Sequence, residues 1–413
     1  MLSHLKKLGP GLIFAGAAIG VSHLVQSTRA GADFGFGLVW ALLLVNLFKY
    51  PFFQFGPRYA LATGESLVEG YQKLGKWVLV SYFLLSLATM FTIQTAVTIV
   101  TASLASYVIY DFQTLIIGSI SFSSIQIWTI ILLSICTLIL ILGRYKLLDY
   151  LMKIIIIVLT ICTITAVFSS ASSEGLSYNF KQIFPNNTKW AFLIAFMGWM
   201  PAPLDISIWH SLWALEKQKD NPQFKTKSGL FDFNIGYITT IFLGLGFLAL
   251  GAFVLFNSGE KLETSAADFA SQLIYMYTSS LGEWAYIIIA IAALTTMFST
   301  TLTTFDASPR VMSRTTRLLT NHRLKKTYSL WLALLFLGTL IIFFFLSSEL
   351  GILVETATIL SFLTAPFYAI ANYKLITSKH VEAKWHPNKK LKILSWLGII
   401  FLLGFSVWYL TIL

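Results

Sequence analysis

The chain has 413 residues, 56% of them hydrophobic and 11% charged, with a net charge of +11 at neutral pH. An ordinary soluble domain carries roughly 25% charged residues, so a soluble enzyme or binding module is excluded and an all-α integral membrane protein is expected. The two cysteines, Cys136 and Cys162, each lie in an apolar run, which excludes a disulfide framework or a cysteine metal cluster.

Apolar runs of spanning length predict eleven transmembrane helices. They lie near Gly9–Gln26, Phe36–Tyr59, Trp77–Ile109, Ile125–Leu142, Leu147–Phe168, Trp190–Leu215, Phe233–Phe256, Trp284–Phe305, Tyr328–Leu346, Ile352–Tyr373 and Leu391–Leu413. With the N-terminus in the cytoplasm, 23 of the 29 Lys and Arg residues fall in inner loops, against Arg29, Lys181, Lys189 and Lys261 outside. That asymmetry is the positive-inside rule, so the basic excess reports topology and requires no nucleic-acid partner. An odd number of spans puts the C-terminus outside, and the first apolar run is expected to be a spanning element rather than a cleaved signal. The outer loop after the seventh span carries Glu260, Glu263 and Asp268; a solvated face explains it, and attraction of cations toward an entrance is the functional alternative.

The first span holds Gly9, Gly11, Gly16 and Gly20, followed by Val21, Ser22 and His23. Each glycine weakens a helix by about 1 kcal/mol relative to alanine, so a break near Gly20 is expected, with a small-residue packing face as the alternative. The sixth span reads GWMPAPLDISIWH from Gly198 to His210. Pro201 and Pro203 each remove a backbone donor and must interrupt the helix. Irregular backbone at bilayer depth is tolerated only inside protein or beside a wet cavity, and Asp205 sits next to it. Broken helices at matching places in two halves of opposite orientation point to a transporter's midplane site. The chain therefore divides into residues 1–170 and 187–376, two inverted five-span repeats, and 377–413, a basic loop with the last span.

Between these breaks, the third span carries Thr92, Gln94, Thr95, Thr98 and Thr101, which line a path or bridge helices. The eighth span carries Thr296, Ser299, Thr300 and Thr303 on one face and then Asp306. Hydroxyls bonded back to their own helix explain that run, and a coupling-ion site is the alternative. Lys49 and Lys153 are expected to snorkel or to be paired. Neither a phosphate-binding glycine loop nor a nucleophile with an adjacent base is found, so an enzyme is not expected and no cofactor is implied.

With these residues described, the chain from Gly9 to about Tyr373 resembles the NRAMP divalent-metal transporters. The resemblance is carried by GPGLIFAGAAIG in the first span, ADFGFGLVWALLLVNLF into the second, TGESLVEG after it, LGRYKLLDY between the fourth and fifth, and Met200-Pro201 in the sixth. It implies the LeuT-type inverted 5+5 repeat with discontinuous helices 1 and 6, plus helix 11. The family's metal-binding Asp-Pro-Gly-Asn stretch is matched by Gly20, Val21, Ser22 and His23, its Met-Pro-His by Met200, Pro201 and Ala202, and its metal-facing Gln in the tenth span by Thr358. Aligning on His210 and Ser211 instead sets Asp205 opposite the missing histidine.

The expected function is a secondary transporter in the plasma membrane, a monomer in the lipid bilayer that moves a metal ion, manganese or iron, by alternating access with proton coupling. Substrate contacts are expected from Gly20, Ser22, His23, Met200, Ala202, Asp205 and Thr358. Met200, Asp205 and His23 would be the metal ligands, a nitrogen, sulfur and oxygen set suited to a transition metal. His23, Asp205, Ser299, Thr300, Thr303 and Asp306 would serve coupling. A sodium- or proton-coupled symporter of a small organic solute on the same fold is the alternative, and a ligand-binding receptor is a third reading.

Overall fold

Two interrupted helices organise the bundle. The computed structural model describes residues 9–117, 120–142, 145–172, 180–184, 190–256, 266–320, 326–346 and 350–412. Lys6, Lys7, Arg144, Lys189, Glu260, Lys261, Glu263, Arg323 and Lys325 lie outside them, as do the side chains of Lys146 and Lys153.

The first span is two pieces, α1 (Pro10–Ala18) and α2 (Thr28–Phe34), with a π-helical turn over Ser22–Ser27 between them. The two pieces meet at an angle of 49°. The second span is α3 (Val39–Thr63); a short helix α4 (Leu67–Leu74) leads to α5 (Lys76–Val108). A hairpin of β1 (Leu115–Ile117) and β2 (Ile120–Phe122), with Ile116 opposite Ser121, precedes α6 (Ser124–Ile141) and α7 (Tyr145–Ala171).

The sixth span is again in two pieces, α8 (Trp190–Trp199) and α9 (Ile206–Asp220), joined through a cis Met200–Pro201 peptide. Then follow α10 (Thr226–Leu250), α11 (Ala266–Leu281), α12 (Tyr286–Thr320), α13 (Thr327–Ile341), α14 (Leu350–Ile376) and α15 (Lys389–Ile412).

Among the described residues seven helices are long and apolar enough to cross a membrane, and the bent α1–α2 pair makes an eighth. The expected eleven also counts α3, α7 and the α8–α9 pair. α3 is less apolar because it carries Asn46, Lys49, Gln54 and Arg58.

Three elements were not expected: α4, α11 and the hairpin. The signal for α4 was present, because Ser66 and Glu69 form a capping box at its start. α11 buries Phe269, Ala270, Leu273, Ile274 and Tyr277 at helical spacing, so the segment after the seventh span is a packed amphipathic helix as well as an acidic loop.

Close backbone approach sets the packing, as it does where lipid removes the hydrophobic drive between helices. α1 lies against α10 at Gly11 and Gly236, and a Cβ on either would collide with the backbone of the other helix. The same contact is locked by Asp232 of α10, whose carboxylate accepts from the amides of Gly9 (2.9 Å) and Gly11 (2.6 Å). It thereby supplies acceptors and negative charge to the unsatisfied first turn of α1. α12 packs along α5, α9 along α3, and α14 along α8. The third- and eighth-span hydroxyls join α5 to α12. Thr101 and Thr301 share a hydrogen bond of 2.6 Å, and Thr304 donates to Gln94 Oε1 at 2.7 Å.

Candidate functional site at the two helix breaks

Helix α8 ends because Pro201 and Pro203 have no N–H to give. In a continuous helix the carbonyl of Met197 would accept from residue 201 and that of Trp199 from residue 203, so the prolines leave both without their intrahelical donors. The last regular bond of the segment runs from Met200 N to Phe196 O at 3.2 Å.

Into this bare end reaches Lys49 of α3. Its ammonium donates to Met197 O at 2.7 Å, to Gly198 O at 2.6 Å and to Ala202 O at 3.4 Å. Three donors meet three carbonyls, and the positive charge stands at the negative end of a half-helix. The side chain is fully buried. It therefore does not snorkel, since its whole stem points inward to the break instead of toward an interface.

Asp205, at the start of α9, is buried and acts electrostatically on Lys49 and on Tyr71, Tyr82 and Tyr368. Its Oδ1 has no hydrogen-bond partner among the described residues. Buried charge is tolerated when it is paired or hydrogen-bonded. Lys49 meets that condition through its carbonyl cage, with Asp205 near enough to act on it as a counter-charge though not in direct contact.

The other residues expected at the site are placed in three directions. His23 is fully buried; Nε2 lies 2.9 Å from Thr240 O, and Nδ1 lies 2.6 Å from Ser22 Oγ and 3.1 Å from Ala18 O. The ring is thus held between the α1 break and α10. Met200 points its sulfur at Gly244 of α10, where a Cβ would stand 3.3 Å from Sδ.

Between the two breaks lies a small cavity of about 20 Å³, whose lining includes Ser22, Pro203, Ile206 and Thr300. Of the expected contacts, Ser22 and Thr300 reach it; His23, Met200 and Asp205 are not part of its lining. The three expected metal ligands therefore do not share one wall. The reason is local: Thr240 captures the imidazole, Gly244 receives the thioether, and Asp205 begins α9 away from the cavity.

At Gly20 the α1 break meets α12, and a Cβ there would run into Thr300. Thr300 donates to Gly16 O at 3.2 Å and to Thr296 O at 3.1 Å, so it bridges the eighth span to the first. Ser299 and Thr303 are buried on the same helix. Asp306 lies six residues past Thr300, about 9 Å along the axis, and is held by Arg310 at 2.8 Å and Tyr328 at 2.7 Å. It belongs to a pairing of α12 with α13 beyond the break. Thr358 bonds back to Val354 O at 2.7 Å and Glu355 O at 2.9 Å, and it meets the break through its backbone, which crosses Gly198. Ala202 contributes its carbonyl to Lys49.

Three residues of this region were missed or underread in the sequence. Asn372 of α14 donates to Phe52 O (3.2 Å) and Ser207 Oγ (3.0 Å) and accepts from Tyr71 (2.6 Å). A buried amide in a polar-poor span was the available signal. His210 is buried, stacks 5.6 Å from Phe14, and has no partner on either ring nitrogen among the described residues. Lys49 was seen as an intramembrane charge, but its partner was a helix end that only the fold brings near.

Two interrupted helices meeting beside a small cavity inside a helical bundle define a membrane transporter of the LeuT-type fold. Residues 11–411 match the family described as natural resistance-associated macrophage protein-like, and the chain belongs to that family of metal-ion transporters. It is 35% identical over 416 residues to a Pasteurella multocida (strain Pm70) protein described as uncharacterized, covering 99% of this chain and 93% of that one. The fold is shared with the Eremococcus coleocola manganese transporter, with TM-score 0.73, 14% identity, and 98% and 85% of the two chains covered. It is also similar to Mhp1, a nucleobase-cation-symport-1 family transporter, with TM-score 0.58, 14% identity, and 97% and 91% coverage.

Proposed function

We propose that this chain is a secondary transporter that carries a transition-metal ion, manganese or iron, across the plasma membrane by alternating access with proton coupling, as a monomer with its N-terminus in the cytoplasm. One observation carries the reading: the carbonyls of Met197, Gly198 and Ala202 converge at the end of α8 on a single cation position, with Asp205 close by as counter-charge. Half-helix ends and unwound carbonyls are how this architecture holds cations at the midplane.

The cavity beside the breaks, lined by Ser22 and Thr300 and distinct from the carbonyl position, is about 20 Å³ and has room for roughly one water-sized particle. Substrate contacts are assigned to the break carbonyls, Ser22 and Asp205, with Met200 and His23 entering as ligands on rearrangement of the breaks. Uptake of manganese and iron into proteoliposomes, with and without an imposed proton gradient, tests the reading. No uptake above empty vesicles under either condition rejects it.

A symporter of a small organic solute is the second reading. Lys49 with Asp205 nearby favours it, because a site whose charges sum to zero, lined by break carbonyls and hydroxyls, suits a dipolar solute. Competition of a solute panel for any manganese signal separates the two.

A further inference from the structure

Lys49 is a cation already seated where a cation would be bound. Its three ammonium donors take the three break carbonyls, at 2.7, 2.6 and 3.4 Å, and no part of it is exposed. We infer that Lys49 is a tethered occupant of the cargo position, and that an incoming divalent ion must displace its ammonium, so Lys49 sets the affinity and selectivity of the site. The inference rests on the metal reading above and adds to it a residue that competes with the cargo.

With Lys49 in place, the ammonium and the Asp205 carboxylate sum to zero, and a divalent ion added beside them would bring two uncompensated charges into low dielectric. Once the ammonium has moved off the carbonyls, the same ion meets a carboxylate and a vacant carbonyl cage. Occupancy by ion and by ammonium is therefore mutually exclusive, and each ion bound must be paid for by the loss of three hydrogen bonds to Lys49. Sterics lead to the same conclusion, since the ammonium lies within hydrogen-bond distance of the atoms that would ligate the ion. Asp205 is the charged group that acts on Lys49, and its field also reaches Tyr71, Tyr82 and Tyr368.

The site is incomplete as a resident metal centre: among the described residues no group of three or more His, Cys, Asp or Glu could hold a metal ion. A cage made of carbonyls with one acid is weak for a divalent ion. A tethered ammonium keeps such a cage filled and compact when cargo is away, and it biases the site against ions that cannot repay its displacement.

Manganese binding to purified full-length protein by isothermal titration tests this with Lys49→Met, Lys49→Gln and Lys49→Arg. The neutral variants are expected to bind manganese at least tenfold more tightly than wild type, and Lys49→Arg no more tightly. Equal or weaker binding by Lys49→Met and Lys49→Gln, with wild type binding, overturns the inference and leaves the metal reading standing. If neither wild type nor any variant binds manganese or iron, both are rejected. Should the neutral variants fail to fold, amine acetylation of wild-type protein read by mass spectrometry decides the matter. Saturating manganese is expected to raise modification at Lys49, and unchanged modification under measured manganese binding overturns the displacement.

Discussion

Thr300 occupies the space that a side chain at Gly20 would need: a Cβ built on Gly20 would stand 2.8 Å from Thr300 Cγ2 and 3.0 Å from its Oγ1. The position at which the family places an acid is thus closed by a methyl group from the eighth span. Gly20→Asp alone is expected to lower stability by about 1–3 kcal/mol through overpacking. Combined with Thr300→Ser, which removes the methyl and keeps the hydroxyl, it should regain most of that loss and bind manganese more tightly than wild type. Thermal unfolding and titration of the single and double variants check both parts. A single Gly20→Asp as stable as wild type contradicts the packing argument.

Asp205→Asn keeps size and removes charge. The Lys49 ammonium is then left without its nearby compensating acid; the two make no direct ion pair among the described residues, so the loss is expected to stay below the about 3–5 kcal/mol of a broken buried contact pair. The variant is expected to unfold at lower temperature and to lose manganese uptake by about 100-fold or more. Adding Lys49→Met to Asp205→Asn should restore thermal stability, though not uptake. A double variant no more stable than Asp205→Asn argues that the two charges are uncoupled.

Asp232→Asn weakens the two hydrogen bonds that hold the start of α1, at 2.9 and 2.6 Å. Hydrogen bonds to a charged group are worth about 1.5–3 kcal/mol each, and the neutral amide keeps only part of that. Amide hydrogen exchange at Gly9 to Leu12 is expected to accelerate by tenfold or more, with little change in α12. Equal protection of Gly9 to Leu12 in wild type and Asp232→Asn denies the cap its role.

Gly198→Ala places a methyl against the backbone carbonyl of Thr358, where neither chain can yield cheaply. The half-helix α8 must then move off α14, with a loss of about 1–3 kcal/mol. Manganese uptake in proteoliposomes should fall together with thermal stability. Full uptake by a stably folded Gly198→Ala would show that this contact does not position the carbonyls.

Much of this fold could be read from the chain because its main devices are covalent. Pro201 and Pro203 interrupt the sixth span wherever they sit, and Gly20 weakens the first. The long apolar helices follow from composition, and the family was legible in its glycine and acidic motifs. Side-chain direction within the site was not legible. Whether His23 turns to a cavity or to Thr240 depends on which carbonyl of α10 lies across from it, a relationship 217 residues distant in sequence. Lys49 was legible as a buried charge, but its three carbonyls lie 148 to 153 residues away. Thr358 and Asp306 were read from alignment and helix position; local bonding to their own helices and neighbours decided where they act.

The amide of Asn372 joins α14 to Phe52 of α3, Tyr71 of α4 and Ser207 of α9 through three hydrogen bonds. Sliding any one of these helices past the others breaks at least one bond, at about 1 kcal/mol each, and strands a buried amide group at further cost. The four helices are therefore keyed together like parts on one pin. Any rocking that exposes the breaks to the opposite face is expected to carry this quartet as a single body, whereas the Thr300 to Gly16 contact, a single hydroxyl of 3.2 Å reach, is a place where α12 and α1 can part at the cost of one bond.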